Sequence, residues 1–401
     1  MQRNLRRFGC VLPVLLDGSG SIVHGHALVA AARAIGLAEI PTVTVDGLSE
    51  PELRALRLSL HKVEELSCWD KKALQAELTD LASIDFGELL AFTAFSTEEI
   101  DVLLHAEPEE DETPELPKTA VSHRGDVWEV TPSLRLTCGD SHDPDAYRTL
   151  MRGAKAQLVL ADPPYNVKIA GNVSKRKGAR EFVAASGEMT PAEFTEFLSA
   201  AFALAVEHSA DGALHLLFMD WRHVEEMMEA GRRSYSELKN LIVWAKSNAG
   251  MGSLWRSQHE LLFAWKVGTA PHVNNVELGR HGRWRSNVWS YPGASSFGRN
   301  RDRELEGHVT PKCVGMLYDA ILDVTKRGDV VLDNFCGSGS TLVAAHRAGR
   351  IGLGIEIDPR YVDVAVQRLE RETGTPARHA GTGLTFAELT VQRGGSDALD
   401  T

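Results

Sequence analysis

The sequence predicts an α/β protein in two parts: a large domain built on a mostly parallel sheet covered by helices, and a smaller α+β domain ahead of it. Three observations carry this. Beyond about residue 156, short apolar runs alternate with amphipathic helical patterns, the order that builds βαβ units. The stretch Glu107-Pro108-Glu109-Glu110-Asp111-Glu112-Thr113-Pro114-Glu115-Leu116-Pro117 is almost devoid of large apolar residues, so it reads as a solvated linker. A length of 401 residues exceeds the roughly 100–200 of one ordinary domain.

Taken in order, Val11–Leu16 reads as a strand and Ile22-Val23 as a second. An alanine-rich helix spans Leu28–Ile35, with Gly36 at its C-cap. Ile40–Val45 is a strand. Helices follow over Glu50–Leu60, opened by Ser49, and Asp70–Leu81. After the linker, strands are expected at Gln157–Ala161, Ala213–Met219, Leu241–Ala245, Leu261–Trp265, Val330–Asp333 and Gly352–Ile357. Helices are expected at Pro191–Glu207, Arg222–Glu229, Pro311–Thr325, Thr341–Ala348 and Pro359–Glu370. From Thr373 to Thr401, a Gly-, Thr- and Ala-rich composition reads as a loosely attached tail. The domain bounds are thus 1–105, a linker 106–120, a main domain 121–372 and a tail 373–401.

Composition excludes several classes. No apolar run approaches the roughly 20 residues of a membrane span. The start, with Cys10-Val11-Leu12-Pro13-Val14-Leu15-Leu16 running into Asp17-Gly18, lacks a cleavage pattern and reads as a buried strand ending in a turn, so a cytoplasmic protein is expected. The five cysteines, Cys10, Cys68, Cys138, Cys313 and Cys336, are scattered, which argues against a disulfide framework or a metal site. The net charge of −12 divides unevenly: residues 1–120 carry 10 basic against 21 acidic residues, residues 121–401 carry 33 against 34. The acidity belongs to the front, and the main domain is free to present a local basic face.

Two loops carry chemistry. Val330-Val331-Leu332-Asp333 runs into Asn334-Phe335-Cys336-Gly337-Ser338-Gly339-Ser340-Thr341 and then a helix. A glycine turn between strand and helix lets backbone approach a ligand. The next strand ends in Glu356, 17 residues after Gly339, where a carboxylate can accept from both hydroxyls of a ribose. Two glycines without a third suit a nucleoside better than a dinucleotide. The second loop, Asp162-Pro163-Pro164-Tyr165-Asn166, follows the strand Gln157–Ala161. Its two prolines remove two backbone donors and stiffen it, leaving the Asp162 carboxylate and the carbonyls around Pro163 as acceptors.

Together these motifs resemble the DNA amino-methyltransferases. Asp333-x-Phe335-x-Gly337-Ser338-Gly339-Ser340-Thr341 with Gly354-Ile355-Glu356-Ile357-Asp358-Pro359-x-Tyr361 is similar to their S-adenosyl-L-methionine motif, and Asp162-Pro163-Pro164-Tyr165 to their catalytic loop. Gly307-His308-Val309-Thr310-Pro311-Lys312 resembles the segment that helps to bind cofactor, with Cys313 where the family has a proline. The catalytic loop precedes the cofactor motif, the permuted order of the beta class, and Cys138-Gly139-Asp140-Ser141 matches that class too. The resemblance implies a Rossmann-like methyltransferase fold with a mixed seven-stranded sheet. It implies S-adenosyl-L-methionine bound by Asp333, Phe335, Gly337, Gly339, Thr341, Glu356, Asp358, His308, Lys312 and Asp140. It implies methyl transfer to an exocyclic amine of an extruded base, gripped by Asp162, Pro163 and Pro164 and stacked on Tyr165. Aspartate at the first position of the loop points to adenine N6, with cytosine N4 as the alternative. An RNA or protein methyltransferase and a non-catalytic DNA adaptor are the remaining readings.

Double-stranded DNA is the implied partner. A homodimer and a restriction or mobile-element partner are further options. Two basic clusters suit DNA: Lys168, Lys175, Arg176, Lys177 and Arg180 after the catalytic loop, and Arg280, Arg283, Arg285, Arg299 and Arg301, interleaved with Trp284, Trp289, Tyr291 and Phe297. The second falls in a segment, about 268–306, that resembles the target-recognition region by position. At the front, Pro13–Asp17, Ile22-Val23-His24-Gly25-His26 and Ala30–Gly36 resemble a ParB/sulfiredoxin-like domain. The match starts later than that domain does and has Leu28 where the domain carries arginine. An accessory DNA-facing or partner-binding role is expected of it.

Overall fold

The computed structural model describes residues 1–66, 70–84, 89–93, 95, 99–100, 104, 113–167, 185, 187–247, 249–250, 254–277, 285–293 and 312–394. The chain forms two compact units, Met1–His105 and Ala106–Thr401.

In the first unit, helix α1 (Gln2–Phe8) precedes strands β1 (Val14–Asp17) and β2 (Ile22–His24), helix α2 (His26–Ala34), strand β3 (Thr42–Val45) and helices α3 (Glu50–Leu66) and α4 (Lys71–Ile84). The sheet order is β2-β1-β3, with β1 antiparallel to β2 and parallel to β3. The turn between β1 and β2 is organised by the Asp17 carboxylate, which accepts from the backbone N–H groups of Ser19 and Ser21, both at 2.9 Å. The first strand starts later than the run Val11–Leu16 suggests, because Val11 and Leu12 are exposed. The apolar stretch is therefore only half a strand.

The second unit contains one ten-stranded sheet. Its strands are β4 (Val127–Thr131), β5 (Leu134–Cys138), β6 (Ala156–Ala161), β7 (Ser209–Met219), β8 (Glu237–Lys246), β9 (His259–Lys266), β10 (Val288–Tyr291), β11 (Val330–Asp333), β12 (Ile351–Glu356) and β13 (Arg378–His379). Its helices are α5 (Pro144–Met151), α6 (Pro191–Glu207), α7 (Val224–Ser234), α8 (Val314–Val324), α9 (Ser340–Arg347), α10 (Pro359–Thr373) and α11 (Phe386–Gly394). The order across the sheet is β10-β8-β9-β7-β6-β11-β12-β5-β4-β13. From β7 through β6, β11 and β12 to β5 all neighbours are parallel. Strand β9 runs antiparallel to both β7 and β8.

The sheet is wider than the seven strands expected. The short strand β10 adds to one edge, and β4 and the two-residue β13 extend the other. Alternation along the central strands separates two apolar layers: Leu158 and Leu160 join the layer of α8, α9 and α10, whereas Val159 and Ala161 join that of α5, α6 and α7. Burial on both faces is the reason these strands read as continuous apolar runs.

Helix α6 begins and ends where its pattern predicts. Pro191 occupies its first turn, and Thr190 and Glu193 form a reciprocal capping box. Helix α7 starts two residues after the expected Arg222, because Asp220 caps a short 3₁₀ turn over Trp221–His223 first. The C-terminal segment is not a loose tail as far as Gly394. Ala377, Phe386 and Leu389 are buried in the core, and β13 pairs with β4. Three apolar side chains spaced along a polar sequence suffice to dock it. No helix among the described residues is long and apolar enough to cross a membrane.

Candidate active site

The C-terminal ends of β6, β11 and β12 lie side by side because these strands are parallel neighbours. Ligands bind at that edge of open α/β sheets. It brings Asp162, Asp333 and Glu356 into one region, and the Asp162 charge is among the influences that raise the Asp333 carboxyl.

At the end of β6, Asp162 is held by two donors. The Tyr165 hydroxyl donates to Oδ1 at 2.5 Å, and Lys312 Nζ lies 2.9 Å from Oδ2. Lys312 also donates to Glu260 Oε2 at 2.7 Å and to Tyr165 Oη at 3.2 Å. The other Glu260 oxygen accepts from Lys246. Aromatic faces close the cage: Lys312 Nζ sits 4.8 Å from the Phe218 ring centre and 5.4 Å from that of Tyr165. Burial pushes the Asp162 carboxyl up against the pull of Lys312. Burial would lift Glu260 as well, but the charges of Lys312 and Lys246 outweigh it and hold its carboxyl at about 2.

Lys312 was expected on the cofactor side. The structure instead aims it at the catalytic loop, because it lies in the extended lead into α8, which begins at Val314 rather than Pro311. Glu260 and Lys246 were not anticipated at all. A charged residue opening the apolar strand β9 resembles a solvated strand end. The available signal was the uninterrupted apolar run Leu261–Trp265 beside it, the mark of a strand covered on both faces.

At the end of β11, the Asp333 carboxylate accepts from the Phe335 N–H at 3.0 Å and from the Thr341 hydroxyl, yet burial still lifts it to about 7. The glycine turn carries positive φ at Gly337 (52°) and Gly339 (83°), a backbone that side-chain-bearing residues rarely adopt. A Cβ at Gly337 would meet nothing within 4 Å, whereas one at Gly339 would press on Ala365 at 3.1 Å. Gly337 therefore borders open space and Gly339 seats α9. Glu356 accepts from the N–H groups of Gly337 at 2.7 Å and Asp358 at 2.8 Å, and burial raises it to about 7. Buried Asn334 Oδ1 has no hydrogen-bond partner among the described residues.

Asp140 follows β5 and accepts from the His142 backbone N–H at 2.9 Å, with the His142 ring 3.0 Å away. This hydrogen bond with His142 holds its carboxyl below the ordinary value. Asp358 caps α10 and pairs with Arg360 at 2.7 Å.

Of the residues expected to meet DNA, Lys168, Lys175, Arg176, Lys177, Arg180, Arg280, Arg283, Arg299 and Arg301 lie outside the described residues, as do His308, Trp284 and Phe297. Arg285 is described and does not present a free guanidinium. Its Nε donates to Asp323 at 2.9 Å and its Nη1 to the Tyr291 hydroxyl at 2.7 Å, over the Trp289 ring. Trp289 is buried in the core, and Tyr291 is partly buried against it. The arginine serves to tie β10 to α8.

Cys138 and Cys336 are buried, and Cys10 and Cys313 are partly so. Burial pushes the Cys138 thiol up to about 12, so it is no nucleophile. Cys68 lies outside the described residues.

The chain is similar to known DNA methyltransferases. Residues 72–124 match the ParB-methyltransferase HTH domain, a match that starts in α4 and takes in the acidic stretch that composition reads as a linker. The chain is 32% identical over 151 residues to the Type II methyltransferase M.HinfI of Haemophilus influenzae, covering 34% of this chain and 40% of that protein. It is 26% identical over 262 residues to the Type II methyltransferase M2.DpnII of Streptococcus pneumoniae, covering 58% of this chain and 89% of that protein. Among solved structures, M1.HpyAVI aligns with a TM-score of 0.42 at 18% identity, over 59% of this chain and 98% of that one. The cytosine-N4-specific PvuII DNA methyltransferase aligns with a TM-score of 0.45 at 15% identity, over 61% and 92%. Residues 156–367, which hold both loops and the Glu260 cage, match the N6/N4 DNA methylase family, and the chain belongs to that family.

Proposed function

We propose that the chain transfers a methyl group from S-adenosyl-L-methionine to the N6 amine of an adenine extruded from double-stranded DNA. One observation carries the reading: an acceptor-only loop, Asp162-Pro163-Pro164, ends the strand beside the glycine turn and the Glu356 carboxylate.

The residues at that turn fit the cofactor. Asn334 Oδ1 is a buried acceptor without a partner among the described residues, and the ammonium group of an amino acid would supply its donor, with the buried Asp333 carboxyl beside it to balance the charge. Space over Gly337 admits a ligand, and in this reading Glu356, bonded to the Gly337 N–H, would accept from a ribose diol. Asp140, following β5, would face the adenine end. Thr341 acts through Asp333, and Asp358 through the start of α10. When bound, the cofactor supplies an electrophilic methyl on a sulfonium.

The chain's own part is to make a poor nucleophile attack. The lone pair of an exocyclic amine is delocalised into its ring. Accepting both N–H bonds, at Asp162 and at the carbonyl of Pro163, favours a tetrahedral nitrogen whose lone pair points at the methyl group. The Tyr165 ring gives the extruded base a face to stack on. The proton made acidic by methylation leaves to Asp162 or to water. The front unit, with its ParB-methyltransferase HTH match, serves DNA engagement in this reading.

The test is incubation with radiolabelled cofactor and mixed-sequence duplex DNA, followed by digestion and separation of nucleosides. N6-methyl-2′-deoxyadenosine is the expected product. N4-methyl-2′-deoxycytidine instead would move the reading to cytosine, and absence of label in DNA would overturn it. Asp162→Ala is expected to cut transfer by about 10²–10³-fold while cofactor affinity stays within about twofold.

A further inference from the structure

Glu260 has no part in the reaction as described so far, yet it is fully engaged in the cage. It touches Tyr165, Lys312 and Lys246 at once. The Tyr165 hydroxyl has a single proton and two carboxylates within reach, Asp162 Oδ1 at 2.5 Å and Glu260 Oε2 at 3.1 Å. With Lys312 on Oδ2 at 2.9 Å, both oxygens of Asp162 already have donors. A carboxylate oxygen can accept more than one hydrogen bond, but an amine arriving at Asp162 competes with these donors, most directly with the short Tyr165 bond on Oδ1.

The two donors differ in what their removal costs. Lys312 is a charge whose side chain is 7% exposed, clamped between two carboxylates. Withdrawing it would leave Asp162 and Glu260 without the cation they share. The Tyr165 hydroxyl is neutral and need only turn about its C–O bond to aim at Glu260. Its ring, packed against both apolar layers, keeps its place for stacking.

We propose that Glu260 is a positioning residue that receives the Tyr165 hydroxyl when the target amine takes Asp162, and that keeps Lys312 in place through the exchange. The inference rests on the amino-methyltransferase reading. Glu260 suits the task because two lysines hold it ionised, so it is always ready to accept. Exchange of one hydrogen bond to a carboxylate for another leaves little net difference, so the site opens without moving a charge.

The test is a double-mutant cycle on the full chain, measuring kcat, KM for DNA and cofactor affinity for the wild type, Glu260→Gln, Tyr165→Phe and the double variant. Glu260→Gln is expected to lower kcat about tenfold, with cofactor affinity within about twofold. Adding Tyr165→Phe is expected to restore about threefold or more, because no hydroxyl then needs a second acceptor. Additive losses, or no loss in Glu260→Gln, would overturn the proposal. A merely structural Glu260 gives no such rescue. Should Glu260→Gln fail to fold, Glu260→Asp serves. It keeps the charge for the lysines and draws the acceptor back from Tyr165, and the same rescue is expected at smaller size. A wild type that transfers no methyl group to DNA removes the underlying reading, whereas an active wild type with additive variants removes this inference alone.

Discussion

Replacing Lys312 by methionine would remove the cation from the cage with little change of volume. The ammonium lies 2.9 Å from Asp162 and 2.7 Å from Glu260. Stranding one partner of a buried pair costs about 3–5 kcal/mol when the orphan has no remedy. Here both orphans have one. Glu260 keeps Lys246, and Asp162 can take a proton. Protonating a carboxyl of ordinary pKa 3.8 at neutral pH spans about three units, or about 4 kcal/mol. Burial already raises Asp162, and its side chain is 32% exposed, so both burial and solvent screening reduce that figure. The expected loss is about 2–3 kcal/mol near pH 8 and about 1 kcal/mol near pH 5.5. The sign follows from proton linkage. Without Lys312 the folded-state carboxyl rises further above its unfolded value. Between those two values the native state binds the extra proton, and stability falls as pH rises through the interval. The deficit of Lys312→Met relative to wild type therefore grows from acid to alkaline pH. Urea unfolding followed by tryptophan fluorescence at both pH values measures it. A deficit that is flat or shrinks with rising pH would refute the claim that Lys312 neutralises Asp162.

Burial raises Glu356 to about 7, and a ribose diol donates to the ionised form. Cofactor affinity, measured by calorimetry, is expected to rise with pH up to about 7, on the acid side by up to about tenfold per unit for each of Glu356 and Asp333. In Glu356→Gln it is expected to be weaker, with a shallower dependence set by Asp333. Equal affinity from about pH 5.5 to 8 in the wild type would contradict this. Phe386→Ala should destabilise the second unit by about 3–5 kcal/mol, read as a lower melting temperature. A shift of under about one degree would mean that residues 375–394 contribute no core. Arg285→Met is expected to lower stability while leaving the slope of log DNA affinity against log salt unchanged. A slope smaller by about one would place Arg285 on a phosphate.

What was legible in the sequence was what is encoded locally. The Asp162–Tyr165 loop, the glycine turn and Glu356 each follow an apolar strand within a few residues, so strand direction alone places them at one edge. Helix α6 was legible to the residue because proline and a capping box mark its start. The Glu260 cage was hidden because it is a tertiary fact. Lys246 and Glu260 are neighbours only through the β8–β9 hairpin, and Lys312 reaches them from a distant segment. Arg285 misled for the same reason. A cluster of arginines and aromatics reads as a nucleic-acid surface, and only packing reveals that Asp319 and Asp323 on α8 claim this one. The outer strands escaped notice because β10 and β13 are four and two residues long, too short to leave a periodic pattern.

The way the second unit closes on itself has an evolutionary meaning. The backbone N–H groups of Val121 and Ser122 are held by Asp363. Arg393 binds both the Val121 carbonyl and Asp126. Residues near the start of the second unit and residues near its end thus meet at one seam beside β4. Where two ends meet, the path of the chain is in effect a ring, and a ring can be cut at any exposed loop and rejoined at the seam without disturbing the sheet. Placing the acceptor loop ahead of the glycine turn is then a choice of cut point. Gene rearrangement can shuffle the linear order of such an enzyme while its active edge, assembled from β6, β11 and β12, stays the same.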